Sequence, residues 1–353
     1  MKIALLTIWH VCNYGAELQA YATTKILRDL GHEVTMIDIR ENEHPNPSLK
    51  NRMAEFISRL TPAYRNFNNF WQKYIPSKTR HYRSIDDLIA NPPAADVYMV
   101  GSDQVWNKDI TAEKRYIYFL NFGADYVKRI SYASSFGMGK WADDEFSTKQ
   151  TGDLLKRFSS ISCREKSGVS ILKREFGLDA KRVLDPTLML NNYSNITGEV
   201  TATPTLAYYP LTHYPELDAF CINLAERLKL RPVNANNTIK LTNSIPWRRP
   251  SVKEWITAIA QASFVVTPSF HGLAFSILYQ RQFMIINRGG SNERRSRMTD
   301  LLSELGLSDR FCESFEEAEE KRLWEKKIDY EAVNRRLEAM RQESYEYLKK
   351  SLE

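Results

Sequence analysis

Apolar runs of strand length alternate with helix-period segments along this chain, and no other feature of the sequence narrows its fold as far. "KIALLTIW" is followed by "AELQAYATTKILRDLGH", in which Leu18, Tyr21, Ala22, Ile26 and Leu30 share one face and Gly31 is placed to end the helix. "EVTMIDI" then reads as strand, and the type returns in "DVYMVGSD", "RISYASSFG" and "SSISCRE". Parallel strands need a crossover between them, so the alternation predicts an α/β protein with parallel sheets. A polar stretch at 191–205 interrupts the pattern, which restarts with "LAYYPL" as strand, "ELDAFCINLAERL" as helix and "RPVNAN" as strand. Ser251 and Glu254 have the spacing of a capping box ahead of a stripe of Val252, Trp255, Ile256 and Ile259. A chain of 353 residues exceeds what one hydrophobic core usually supports. The expectation is two similar halves, 1–190 and 206–353, joined by a linker at 191–205. A charged helical tail from about Phe315 packs across them.

Composition removes several classes of protein. With 43% hydrophobic and 26% charged residues the chain is neither disordered nor of low complexity. His10 and Asn13 interrupt the first apolar run, which therefore reads as a buried strand and not as a signal peptide. No run approaches the ~20 apolar residues of a membrane span. Cys12, Cys163, Cys221 and Cys312 are far apart and form neither CxxC pairs nor a metal-ligand cluster, which suits a reducing cytoplasm. The net charge of +6 fits a solvated surface, an anionic substrate or an anionic membrane face. Residues 47–83 mix cations with aromatics and carry few acids: either an insertion helix with a wet face, or a patch for a phosphate-bearing or membrane-embedded partner.

Ligands of doubly wound sheets sit beyond the carboxyl ends of the strands. Polar clusters recur at such places: "HVCNYGAELQ", "GSDQVWN", "SSFGMG", "CREKSG" and "PSFHG". There is no GxGxxG after the first strand and no GxxxxGKS, which argues against dinucleotide and P-loop enzymes. His271 beside Gly272 marks a strand-to-helix junction, where backbone N–H groups and the helix dipole favour an anion. "INRGGSNERRSRM" follows the next strand and gathers Arg288, Arg294, Arg295 and Arg297 around a Gly-Gly-Ser turn. Arginine's planar fork suits carboxylate and phosphate, and cations crowded at a helix N-terminus are easier to explain if an anion compensates.

"NYGAELQAYA", "VGSDQVWN", "YASSFG", "SCREKSGV", "VLDPTLML", "SFHGLAFSI" and "RGGSN.R", in this order and at these distances, resemble the polysaccharide pyruvyl transferase family from Lys2 to roughly Leu305. The resemblance implies two Rossmann-like domains in a GT-B-like architecture, with the active site in the inter-domain cleft. It implies phosphoenolpyruvate as donor, a hexose hydroxyl pair as acceptor, often lipid-linked at the cytoplasmic face of the membrane, and a pyruvate ketal of a surface polysaccharide as product. The amino-terminal domain becomes the acceptor side and the carboxy-terminal domain the donor side. By motif, His271 corresponds to the family's histidine near the donor and Arg164 to an arginine of donor binding; Ser269, Phe270 and Gly272 complete the motif at the donor. Two positions depart from the pattern. Ser269 stands where some members have arginine, with Arg288 and Arg294 the candidates to replace it, and Pro268 stands where others carry Asp or Asn.

The expected chemistry uses His271 to deliver a proton to the methylene of phosphoenolpyruvate or to accept one from the attacking hydroxyl. Asp103 orients or deprotonates that hydroxyl, and Arg164 with the 288–297 cluster holds the departing phosphate. Asn13, Tyr14, Gly15, Gln19, Ser102, Gln104 and Trp106 are the expected acceptor contacts. No cofactor or metal is called for, and the expected partners are phosphoenolpyruvate, the saccharide and a peripheral membrane surface, with no nucleic acid. Two other readings stay open on these residues: a nucleotide-sugar glycosyltransferase of the same architecture, and a non-catalytic saccharide- or phosphate-binding homologue.

Overall fold

A computed structural model describes residues 1–40, 48–211, 215–242, 245–287 and 292–353, with the backbone alone for 292–295. Its strands are Lys2–Leu6 (β1), Glu33–Ile39 (β2), Lys78–Tyr82 (β3), Val97–Val100 (β4), Lys128–Ser131 (β5), Ser162–Cys163 (β6), Lys181–Arg182 (β7), Thr205–Tyr208 (β8), Arg231–Asn234 (β9), Ile239–Lys240 (β10), Pro246–Arg248 (β11), Phe264–Thr267 (β12), Gln282–Ile286 (β13) and Phe311–Cys312 (β14). Central strands such as β1, β4 and β12 are apolar because both their faces are covered, the condition of a parallel sheet flanked by helices. One parallel sheet runs β3-β2-β1-β4-β5, and a second runs β14-β13-β12-β8-β9. The strand order reverses between β1 and β4 in the first and between β8 and β12 in the second. Such reversals open a crevice at the carboxyl ends of the strands. Paired bridges from Asp103 to Ser134 and from Ser134 to Cys163 carry the first sheet on toward β6 and β7.

Three helices lie between β1 and β3: Tyr14–Asp29 (α1), Leu49–Leu60 (α2) and Pro62–Tyr74 (α3). The sequence periods place α1 and the helix after Ser251 well. Leu18, Tyr21, Ala22 and Ile26 of α1 are buried, and Ser251 with Glu254 forms the capping box of the helix Val252–Gln261. Residue 47 of the 47–83 segment lies outside the described residues; the rest is more than an insertion helix, folding as α2 and α3 and then supplying β3, the edge of the first sheet. Among the described residues no helix is long and apolar enough to cross a membrane.

The two halves share a core. One apolar cluster contains Leu5 and Leu18 from the first half, and Trp255, Leu273 and Leu348 from beyond it. Tyr14 is the pin: its ring stacks on Trp255 with centroids 5.2 Å apart, and its hydroxyl donates to the Pro250 carbonyl at 2.7 Å. The last helix, Tyr330–Leu352, returns to the first half. There Ser344 accepts the Leu184 N–H at 3.0 Å and Tyr347 donates to the Ser131 carbonyl at 3.0 Å.

The loop from β1 to α1 is held from within by two buried side chains of α1. Gln19 donates to Thr7 Oγ1 and to the Ile8 carbonyl, both at 2.9 Å. Glu17 accepts the N–H of Val11 at 3.1 Å and the indole N–H of Trp71 at 2.6 Å. These contacts hold His10 and Cys12 in the left-handed region, at φ 63° and 53°, where non-glycine residues are uncommon. Burial pushes the Glu17 carboxyl up to about 7, against the pull of Trp71 and the loop N–H groups. The folded state therefore holds this proton more tightly than the unfolded chain, so the group's stabilising contribution is full below the ordinary carboxyl pKa and is lost as pH rises through about 7. His10 acts in the opposite sense, because burial and Arg40 bring it down to about 3. His10 is common to wild type and Glu17→Gln, so the comparison isolates Glu17. From pH 5 to pH 8, urea stability of the wild type should fall relative to Glu17→Gln by an amount on the order of 3 kcal/mol; parallel pH profiles would remove Glu17 as the titrating group.

Candidate functional site

Four strand ends bring the polar residues together. Gly15 lies one residue into α1, behind β1; Ser102 and Asp103 follow β4; Arg164 and Glu165 follow β6; Asp185 follows β7. Opposite them, β12 ends at Thr267, and Ser269 caps the helix Phe270–Leu278 by accepting the Gly272 N–H at 3.3 Å. A Cβ at Gly272 would lie 2.7 Å from Thr267 Cγ2, so glycine lets this helix start hard against its strand. The cap serves one N–H. By helix geometry the N–H groups of Phe270 and His271 have no acceptor within the helix and point out of its positive end.

His271 crosses the boundary between the halves. Its imidazole lies over Gly15: a Cβ there would sit 2.7 Å from His271 Cγ and closer still to Nδ1. Nε2 is buried without a hydrogen-bond partner among the described residues and stands 3.9 Å from Asp185 Oδ1, beyond hydrogen-bonding distance. Burial holds the His271 pKa below the ordinary 6.5; Asp185 and Asp103 oppose the shift, while Arg164 and Arg297 reinforce it. An anion beside the ring would raise its pKa.

Asp185 organises the floor. Fully buried, it accepts from Ser102 Oγ at 2.9 Å, Arg164 Nη1 at 2.9 Å, the Thr187 N–H at 3.0 Å and Thr187 Oγ1 at 2.7 Å. Burial alone would raise its pKa; the charges of His271 and Arg164 and the Thr187 hydrogen bonds outweigh it and bring the carboxyl down to about 2. Arg164 also reaches Asp103 Oδ1 at 3.3 Å and Glu165 Oε2 at 3.7 Å, and its guanidinium lies 4.9 Å from the centre of the Phe270 ring. Three carboxylates thus engage Arg164. Asp103 holds a left-handed backbone, φ 74°, and keeps part of its carboxyl exposed.

Arg297 has no hydrogen-bond or ion-pair partner among the described residues. It lies on the helix Asn292–Leu305, whose Asp300 and Glu304, three and seven residues on, share its face. Asp300 accepts the Lys166 N–H at 3.1 Å, and Glu304 pairs with Lys166 and Arg182. The same face therefore turns Arg297 toward Arg164 and Glu165. Its Nε is buried with no hydrogen-bond partner among the described residues. Burial, reinforced by the Arg164 charge and opposed by Glu165, Asp103 and Asp185, brings its pKa down to about 10. Leaving such a donor unmet costs free energy, which an anion's oxygen would recover.

The residues singled out from sequence divide by position. His271, Gly15, Asp103, Ser102, Arg164, Phe270, Ser269 and Gly272 converge here. Asn13 caps α1, accepting the Gly15 N–H at 2.9 Å, and is exposed beside them. Gln104 is turned to Asn107, whose amide donates to it at 3.0 Å. Three expected acceptor contacts belong to the core instead. Trp106 is buried, stacked on Phe119 and donating to the Tyr118 carbonyl at 3.0 Å; Gln19 is consumed by the β1–α1 loop; Tyr14 is buried between the halves. Arg288 lies outside the described residues, and so does the side chain of Arg294. Asp185 went unnoticed because Asp-Pro-Thr reads as a helix cap, which it also is. Its place just after a strand, in a stretch already matched as a motif, was the available signal.

Among solved structures the chain is similar to a putative UDP-N-acetylglucosamine 2-epimerase from Listeria monocytogenes, at 10% identity and TM-score 0.52 over 96% of this chain and 91% of that one. It is also similar to the spinosyn forosaminyltransferase SpnP, at 12% identity and TM-score 0.51 over 97% and 94%. Identities this low carry the fold alone, a GT-B arrangement of two α/β domains. No curated protein sequence matches. A family model described as polysaccharide pyruvyl transferase matches residues 13–290, which include Gly15, Ser102, Asp103, Arg164, Glu165, Asp185 and His271 but not Arg297. Those residues thus lie within a match that covers most of the sequence, and the chain belongs to the polysaccharide pyruvyl transferase family.

Proposed function

We propose that the chain transfers the pyruvyl group of phosphoenolpyruvate to two hydroxyls of a hexose in a lipid-linked saccharide, forming a cyclic ketal for a surface polysaccharide. The observation that supports the donor assignment is Arg297, whose Nε is buried and unmet among the described residues, beside Arg164 and the open N-terminus of the His271 helix. Those groups suit a phosphate ester bearing a carboxylate. Arg297, from a different helix, supplies the positive charge that Ser269 does not.

The residues divide the chemistry as follows. The donor's negative charge raises the pKa of His271, which takes up a proton and passes it to the methylene carbon, leaving the central carbon electrophilic. The donor carboxylate replaces Asp103 at Arg164 Nη2, the longer of that arginine's hydrogen bonds at 3.3 Å. Asp103, so released, takes the proton of the first sugar hydroxyl as its oxygen bonds to the central carbon. The oxygen of the second hydroxyl then bonds to the central carbon as the bond to the phosphate oxygen breaks, its proton passes to His271, now neutral after protonating the methylene, and inorganic phosphate leaves against Arg297 and the helix terminus. Asp185 keeps Arg164 and Ser102 in place throughout. No step calls for a cofactor.

Calorimetry should show saturable binding of phosphoenolpyruvate and none of UDP or GDP. Arg297→Ala should weaken that binding about tenfold or more, the scale of one charge-assisted contact, with partial recovery in Arg297→Lys. Wild-type affinity in Arg297→Ala would discard the donor assignment, and UDP binding would point to a nucleotide-sugar donor. NMR titration of labelled histidine should place His271 below 6.5 in the free protein and higher with phosphoenolpyruvate bound; a pKa that the donor leaves unmoved would separate His271 from the proton transfer.

A further inference from the structure

The helix α2 folds with its apolar face outward. Leu49, Met53, Phe56 and Leu60 recur at intervals of four, three and four, so they form one stripe, and they are 80%, 55%, 61% and 60% exposed. No residue of α2 is buried. Lys50 flanks the stripe on one side, Arg52 and Arg59 on the other, against a single acid, Glu55. Ser48 caps the helix, so its start is fixed without tertiary contacts.

A second exposed apolar group borders the same neighbour. The β10–β11 hairpin packs on α3, as α2 does, and shows Ile239, Leu241 and Trp247 at 51%, 52% and 47% exposure, with Lys240 and Arg248 exposed and no acid between 239 and 249. This hairpin leads to the site. Arg249 donates to the Cys12 carbonyl at 2.6 Å and lies 4.9 Å from the centre of the Tyr14 ring; the next residue of α1 is Gly15, beneath His271.

We propose that α2 and the β10–β11 hairpin seat the protein on an anionic lipid bilayer, the stripe and Trp247 entering the headgroup boundary. The charge pattern selects this occupant over a second copy of the chain. Cations flank the apolar stripe on both sides and dominate the hairpin, which suits an anionic surface and would repel the same face of another molecule. The acceptor side of the site then opens near the surface that carries a lipid-linked substrate. The docking itself does not depend on the chemistry at His271 and is read without substrate.

The test is co-sedimentation of the full chain with vesicles of mixed phosphatidylcholine and phosphatidylglycerol, beside vesicles of phosphatidylcholine alone. The wild type should partition onto the anionic vesicles. Phe56→Glu and Trp247→Ser should each lower that partition about tenfold or more with an unchanged melting temperature, since both side chains are largely exposed. Arg52→Ala should lower it about fivefold on anionic vesicles, an effect that vanishes at high salt. The proposal is overturned if the wild type stays in solution, if Phe56→Glu sediments as the wild type does, or if the wild type is a dimer that Phe56→Glu dissociates.

Discussion

A carboxylate closed off from water needs donors on every side, and Asp185 obtains them from separate parts of the chain. Ser102 comes from the end of β4, Arg164 from the end of β6, and Thr187 from the turn after Asp185 itself. Remove the carboxylate and Arg164 is left buried with its charge unmet, a loss larger than the net worth of the pair. Because the same group sits opposite Nε2 of His271, one side chain fixes the arginine, the loop after β4 and the electrostatic setting of the imidazole. The site is built outward from it.

The arrangement needs two sheets of different winding. In the first, the order reverses between β1 and β4, which delivers Gly15 and Asp103 side by side; in the second it reverses between β8 and β12, which delivers His271. Turning the two crevices toward each other produces one site. The shared core around Tyr14 and Trp255 and the returning helix Tyr330–Leu352 hold that relation, so the ring of His271 can rest on a glycine of the opposite half with no room for a methyl group.

Periodicity made the α/β class, α1, the capping box and the restart after residue 205 legible, since those depend on local burial and capping. The strand-to-helix junction at His271 was legible because Ser, His and Gly there have few other uses. What sequence could not separate is a polar side chain facing a ligand from one facing its own backbone. Gln19 and Asn13 both lie near the start of α1, yet Gln19 is consumed by the β1–α1 loop and Asn13 is exposed at the cap. Trp106 stands among motif residues but fills a core. Arg297 was one of four arginines until the helix phase, set by Asp300 and Glu304 meeting the first half, distinguished it.

That helix phase has an energetic consequence. Asp300 and Glu304 bind the first half through Lys166 and Arg182, and Arg297, one turn earlier, faces Arg164 and Glu165. An anion held between Arg297 and Arg164 would therefore bridge the same two surfaces that the acidic residues already clasp. Part of its binding free energy goes into tightening the contact between the halves, and that contact is what sets His271 over Gly15. Under the proposed function, donor binding and the placement of His271 would then be one equilibrium, in which affinity given to the phosphate becomes order at the reacting carbon.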